Sequence, residues 1–409
     1  MDSTSFVTPL TDTSHLSKWD KVFIRVLSRS DGGVIRLTLH NHQVIDLGRG
    51  EGPAIDLRMK QDDLAKTWLM GGAMAFAETY IKGLWTTSDL SGLLKILATN
   101  QQHMGRFARG TSSMLRKMDT MMHRLRKNTR DNALKNIQEH YDLSNDMYKT
   151  FLDPSLMYSS GIFADSSDTL EDSQTAKINR VIESLHLLPT DHVLEIGSGW
   201  GGCAIRIAQD VGCRVTSVTL SPSQQEEGMK RVKAAGLEDR VEIRLQDYRD
   251  VEGQFDHVIS IEMIEAVGHE FLPEYFSTVN QRLKPGGRFA LQAITIPDER
   301  YENYNKTSDF IRKHIFPGGH LPSPKILDEM RGSYTHLREI DNFEFGKDYA
   351  ETLRRWALNF FASLDTVRDL GFDDDFIRKW HYYLAYCEAG FDTDMIHVRQ
   401  ICYQKAKIG

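Results

Sequence analysis

From about residue 175 the chain alternates between short apolar runs and longer segments whose apolar positions recur every three or four residues. The helical spacing of "AKINRVIESLHLL", "GCAIRIAQDV" and "SQQEEGMKRVKAAG" predicts amphipathic helices, the last ending at Gly236. Between and after them, "HVLEIG" reads as a buried strand and "CRVTSVTL", "VEIRLQD", "FDHVISIEMI" and "RFALQAITI" as further strands. Strands and helices in alternation predict a largely parallel sheet with crossover helices, a doubly wound α/β domain. Tyr301 to Gly332 reads as a turn-rich insert, and Asp341 to the end as mostly helical with many aromatics. Ahead of this domain, residues from about 20 to 100 mix alternating stretches such as "VIRLTLHNHQVIDLG" with helical ones such as "GAMAFAETYIKGLW", the pattern of a small α+β domain.

Length agrees with two domains, because 409 residues exceed what one hydrophobic core usually serves. Apolar residues make up 40% and charged residues 26%, ordinary for a globular protein. A net charge of -7 argues against a general nucleic-acid binder. Four scattered cysteines with no CxxC pair give neither a disulfide framework nor a zinc site, so a reducing cytoplasm and no metal are expected. No signal-peptide pattern opens the chain and no long apolar run is present.

One segment departs from this acidic background. Met104 to Gln138 holds nine Lys or Arg against Asp119 and Asp131, with Met, Leu and Phe interleaved. It fits a solvated linker helix, or a contact with anionic lipid in which cations meet headgroups and apolar side chains dip beneath them. Nucleic acid is the weakest option, because no recognised fold signature accompanies the charge.

The candidate chemistry begins at "VLEIGSGWGG", where a strand runs into a glycine-rich turn before a helix. Gly197 and Gly199 permit a tight turn beneath a ligand, and Glu195 lies two positions before the first of them. The spacing is G-x-G-x-G-G, whereas a dinucleotide loop has G-x-G-x-x-G. An acid just upstream faces a cationic amino-acid headgroup, which suits S-adenosylmethionine better than pyrophosphate. Thr219, Leu220 and Gln224 end the second strand where a ribose would lie, and Asp247 and Tyr248 end the third where an adenine would lie.

Six motifs, "HYDLSNDMYKTFLDPSLMYSSGIF", "VLEIGSGWGG", "VTLSPSQ", "IEMIEAVG", "IFPGGHLPS" and "FGKDYAETLRRW", resemble in order and spacing the cyclopropane fatty-acid synthases and their mycolic-acid relatives. The resemblance runs from about His140 to the C-terminus. It implies a Rossmann-like S-adenosylmethionine-dependent methyltransferase domain with a helical lid or insert and an acyl-chain tunnel, over residues 126–409. Residues 1–125 would form the smaller N-terminal α+β domain with its basic segment, used for lipid docking and for pairing into a homodimer.

The implied reaction moves the methyl of S-adenosylmethionine onto the double bond of an unsaturated phospholipid acyl chain, and the resulting carbocation loses a proton to close a cyclopropane. Such a cation needs a dry tunnel, aromatic faces and a nearby base. Tyr349, Trp356, Phe360, Phe361, Trp380, Tyr382, Tyr383 and Phe391 are candidates for the tunnel wall, though each taken singly reads as core. The family's cofactor contacts carry over to Tyr158, Ser159, Glu195, Gly197, Ser198, Gly199, Thr219, Leu220, Gln224, Asp247 and Tyr248.

In many members a bicarbonate ion is the base, held by two cysteines, a glutamate, a histidine and a tyrosine. Glu265, Tyr349 and Cys387 match three of these positions, with Glu265 preferred over nearby Glu262 because it fits the motif. Ser160 stands where the family has cysteine and Gln292 where many members have histidine. Both still donate hydrogen bonds, so bicarbonate is expected to bind, without the imidazole's charge. An altered base opens a second outcome, a methylene or methyl branch or a methylated diene. A third reading, a lipid-binding protein with a dead methyltransferase domain, has no use for the retained glycine loop, Gln224, Glu265, Tyr349 and Cys387. The implied location is cytoplasmic, on the inner face of the cell membrane, docked through Met104 to Gln138.

Overall fold

The computed structural model describes residues 16–51, 54–101 and 144–407. The basic stretch Met104 to Gln138 and the expected boundary between 125 and 126 lie outside the described residues.

The N-terminal unit opens with α1 (Lys18–Leu27), whose start is fixed by a reciprocal cap: Asp20 N donates to Ser17 Oγ and Ser17 N to Asp20 Oδ2, both at 3.1 Å. The alternating stretch forms a hairpin of β1 (Gly33–Thr38) and β2 (Val44–Arg49). Ile35 and Leu37 face inward, while Arg36 points out and pairs with Asp46 across the hairpin. Then come β3 (Ile55–Met59), α2 (Leu64–Ile81), β4 (Trp85–Thr86) and α3 (Leu90–Thr99). The strands order as β2-β1-β3-β4. Within α2 the backbone breaks at Gly72, with φ 67° and ψ −152°, which redirects the helix's second half.

The second unit alternates α4 (Leu170–Leu185), β5 (His192–Ile196), α5 (Gly202–Val211), β6 (Arg214–Thr219), α6 (Pro222–Ala234), β7 (Val241–Leu245), β8 (Phe255–Ile261), α7 (Leu272–Arg282) and β9 (Leu283–Thr295). It closes with β10 (Leu337–Glu344), α8 (Gly346–Ala362), α9 (Asp374–Asp392) and β11 (His397–Lys405). The seven strands order as β10-β11-β9-β8-β5-β6-β7. The five from β9 to β7 run parallel, and β11 and β10 add antiparallel at one edge. β5 lies between β6 and β8, so the chain reverses its direction of travel across the sheet there, and a crevice opens at the strands' carboxyl ends.

The C-terminal part is mostly helical, as expected, but β10 and β11 frame α8 and α9. β10 is an edge strand with mainly exposed positions, so it lacks the apolar run by which a buried strand is read. The expectation for 301–332 needs correction, because the stretch is not merely turns: it carries short helices over Asp298–Asn305 and Phe310–His314 and the start of a third, Pro324–Tyr334.

Among the described residues, the core of the N-terminal unit is continuous with that of the helices after the sheet. Trp68, Phe76 and Leu93 share one apolar cluster with Trp356, Phe360 and Trp380 of α8 and α9. α2 and α3 therefore pack on the helices that follow the sheet, and this contact places them against the site.

Candidate active site

The glycine loop forms as its spacing requires. Gly197 has φ 97° and Gly199 φ 50°, the left-handed region that glycine occupies without strain. A Cβ on Gly197 would also press on Met263 at 3.1 Å. The turn is pinned to the sheet by Gly197 N and Ser198 N, which both donate to Val218 O at 3.0 and 3.1 Å. At its base Glu195 is buried and accepts a hydrogen bond from the Ser217 hydroxyl, which in turn lies 2.7 Å from that of Ser198. Burial pushes the Glu195 carboxyl up to about 7, with Ser217 opposing. A cationic ligand group beside it would restore the charged form.

Above this turn lies a cavity of about 190 Å³, and its wall contains Tyr158, Ser159, Glu195, Gly197, Ser198, Gly199, Thr219, Leu220, Gln224, Asp247 and Tyr248. The structure thus gathers in one pocket every residue that the sequence put on the cofactor. Thr219 Oγ1 donates to Gln224 Oε1 at 2.9 Å, leaving the Gln224 amide hydrogens for a ligand. Asp247 differs from expectation in one respect: Arg249 grips its carboxylate with Nε at 2.9 Å and Nη2 at 2.6 Å.

The pocket also holds residues that the sequence reading missed. Lys177 is fully buried on α4, and its Nζ donates to Ser159 Oγ at 2.6 Å. Burial, opposed by Glu262, lowers its ammonium to about 8. Its signal was a lysine four residues before Val181 on the buried stripe of an amphipathic helix.

A second cavity of about 360 Å³ adjoins the first, and Tyr158, Glu262 and Ala266 line both. Its walls are largely apolar and aromatic: Phe76, Leu94, Leu97, Ile294, Leu353, Tyr382, Tyr383, Tyr386 and Phe391. Of the aromatic tunnel candidates, Tyr349, Tyr382, Tyr383 and Phe391 line it, whereas Trp356, Phe360 and Trp380 are core and Phe361 is partly exposed. Ala73 and Phe76 of α2 and Leu94, Leu97 and Ala98 of α3 supply one wall. The N-terminal unit is therefore part of this chamber.

Where the cavities meet, three donors converge on one carboxylate. Glu262 Oε1 accepts from Ser160 N at 3.0 Å and from Gln292 Nε2 at 2.7 Å, and Oε2 accepts from Tyr349 OH at 2.6 Å. Gln400 Nε2 donates to Gln292 Oε1 at 2.9 Å and so fixes which way that amide points. Burial raises the Glu262 carboxyl, and the hydrogen bonds from Tyr349, Ser160 and Gln292 oppose it.

Three expectations are corrected here. Glu265 does not join Ser160, Gln292 and Tyr349; Glu262 does. A short helical turn over Ile264–Ala266 carries Glu265 past the strand end, where its Oε1 accepts from Ile294 N at 2.5 Å and it faces the larger cavity. Burial and the charge of Glu262 push its carboxyl up to about 8. Ser160 contributes its backbone N–H rather than its hydroxyl, which is turned to Gly161 O at 2.9 Å. Cys387 sits on α9 in the apolar wall and makes no hydrogen bond to the Glu262 cluster; burial raises its thiol well away from ionisation.

A glycine turn at the switch point, an acid beneath it and Thr219, Gln224, Asp247 and Tyr248 after the next two strands line one pocket, the layout of an S-adenosylmethionine-dependent methyltransferase. The mycolic acid cyclopropane synthetase family model matches residues 128–401, and the chain belongs to that family. It is 41% identical to the tuberculostearic acid methyltransferase UfaA1 of Mycobacterium tuberculosis, over 83% of this chain and 81% of that protein. It is 34% identical to the cyclopropane-fatty-acyl-phospholipid synthase of Escherichia coli, over 87% of this chain and 89% of that one. Among solved structures, mycolic acid cyclopropane synthase CmaA1 complexed with SAH and CTAB superimposes with a TM-score of 0.62 at 29% identity, covering 66% of this chain and 98% of its own.

Proposed function

We propose that the protein transfers the methyl group of S-adenosylmethionine to the double bond of an unsaturated fatty acyl chain carried by a phospholipid. The observation that carries this reading is the junction of a polar cofactor pocket with a larger apolar cavity at Tyr158, Glu262 and Ala266. A sulfonium in the first cavity and an alkene in the second would meet there, with little water to trap a cation. Tyr158 lines both cavities, and an aromatic ring at such a junction can stabilise positive charge.

Two products are open to that cation. Proton loss from the added methyl group with ring closure gives a cyclopropane, the outcome supported by the kinship with the Escherichia coli synthase. Proton loss after the cation has moved to the methyl-bearing carbon gives a methylene branch, an open-chain methylation. The second is favoured by Ser160 and Gln292, where the bicarbonate-using pattern has cysteine and histidine, and by the greater identity to a relative named a methyltransferase. Gas chromatography and mass spectrometry of fatty acids from cells expressing the chain would separate them. Mild hydrogenation saturates a methylene branch and leaves a cyclopropane intact, and unaltered fatty acids would contradict both.

No described helix is long and apolar enough to cross a membrane. Access to a bilayer substrate would come through the basic stretch Met104 to Gln138 at the inner face of the cell membrane. Pairing into a homodimer through the N-terminal unit belongs to the same reading.

A further inference from the structure

Glu262 takes the hydrogen bonds that the family resemblance would direct at an external anion. Three donors expected around bicarbonate, at Ser160, Gln292 and Tyr349, all converge on its carboxylate at 2.6 to 3.0 Å. They are thereby occupied, and the residues do not fit a separate bicarbonate in that cradle. We propose that Glu262 is this enzyme's own base, a carboxylate supplied by the chain in place of a borrowed ion.

The backbone at this position supports the assignment. Glu262 has φ 50°, a left-handed conformation that disfavours any residue with a β-carbon and that glycine would occupy freely. Its N–H donates to Gln292 O at 2.8 Å, so the neighbouring strand holds the strained turn in place. A glutamate kept where a glycine would be easier is a common mark of a functional site. Its position fits the task, since Glu262 borders both the cofactor pocket and the apolar cavity.

The inference rests on the methyl-transfer reading above, and the step balances as follows. The carbon–sulfur bond breaks with its electrons going to sulfur, which leaves S-adenosylhomocysteine. The alkene's π electrons form the new carbon–methyl bond, and the other alkene carbon becomes a cation. Glu262 takes a proton from the added methyl group. The freed C–H electrons then close the ring or, after a hydride shift to the first cation, form an exocyclic double bond. The proton ends on Glu262 and leaves before the next turnover. Tyr349 and Gln292 are positioning residues: they aim the carboxylate and stabilise its charged form.

The test uses the full-length protein, methyl-labelled S-adenosylmethionine and vesicles of a mono-unsaturated phospholipid. Label incorporation is followed in buffer stripped of carbon dioxide, with and without added bicarbonate. The wild type should run at the same rate in both. Glu262→Gln should lose incorporation by about 100-fold or more, the scale of a lost general base, while binding S-adenosylhomocysteine as the wild type does. Glu262→Gly, whose backbone relieves the strain, should fold at least as well and regain part of the rate when bicarbonate or formate is added. A wild-type rate that collapses without bicarbonate, or a Glu262→Gln rate equal to wild type, would overturn the inference and leave methyl transfer standing. No incorporation by the wild type in either buffer would remove both.

Discussion

Tyr349, Gln292 and the Ser160 amide reach Glu262 from three separate parts of the chain, so each can be altered with the others left in place. Tyr349→Phe deletes one hydrogen bond to a charged group, worth about 1.5 to 3 kcal/mol. If that bond holds the base in its working form, kcat should fall by about 10- to 100-fold with S-adenosylhomocysteine affinity unchanged. Equal loss of affinity by calorimetry would assign the tyrosine to cofactor binding instead. Glu265 gives a prediction in pH. Its folded-state carboxyl lies near 8 against an ordinary 4.5, so folding favours the protonated form, and its contribution to stability is full below 4.5 and lost as pH rises through about 8. Glu265→Gln mimics the protonated form at every pH. It should match the wild type's melting temperature at pH 5 and exceed it by several degrees at pH 9; a gap at pH 5 that does not widen by pH 9 would contradict the shift. That the expected cofactor residues share one pocket was readable from Glu195 onward, because those residues follow strand ends in order. Glu262 was not, because its role depends on how "IEMIEAVG" curls after β8: the motif selects Glu265, while the left-handed turn at Glu262 places the earlier carboxylate in the cradle.

At the level of elements, the reach of the apolar chamber depends on helices outside the methyltransferase sheet. Leu94, Leu97 and Ala98 on α3 face the cavity, and α3 is held there by packing on α9. Leu97→Trp should fill part of the wall and shift preference toward shorter acyl chains, lowering kcat/KM for a long chain by about 10-fold, the scale of one or two excluded methylenes. Competition between long- and short-chain phosphatidylglycerols reads this directly, and an unchanged ratio would remove α3 from the chamber. The order of helices and strands from α4 to β9 was legible because both faces of a parallel sheet are covered, so its central strands such as "HVLEI" carry runs of buried apolar residues. β10 and β11 were harder to see. β10 carries polar residues on an exposed edge, and β11, "HVRQICYQK", interleaves them with its buried positions, so neither shows an uninterrupted apolar run. The shared core of α2, α3, α8 and α9 was invisible for a different reason: apolar faces show that a helix packs, not which partner it packs on.

For the whole molecule, the account joins a soluble cofactor to a substrate held in a bilayer. Met104 to Gln138 should give binding to anionic vesicles that weakens with salt. Replacing Arg116, Lys117, Arg124 and Arg126 by glutamine removes about 1 kcal/mol per charge at the surface, so sedimentation with anionic vesicles should fall by at least about 10-fold. Equal binding to neutral and anionic vesicles, insensitive to salt, would contradict electrostatic docking. The central claim is methyl transfer to an acyl double bond, and it is tested most directly by following the methyl group itself. Purified full-length protein would be incubated with S-adenosylmethionine bearing a fully deuterated methyl and with vesicles of a phospholipid containing one cis double bond. The account predicts deuterium on the acyl chain at the former double bond, with one deuterium of the transferred methyl lost to the base. Deuterium on the headgroup, or none in the lipid while the cofactor is bound, would contradict it.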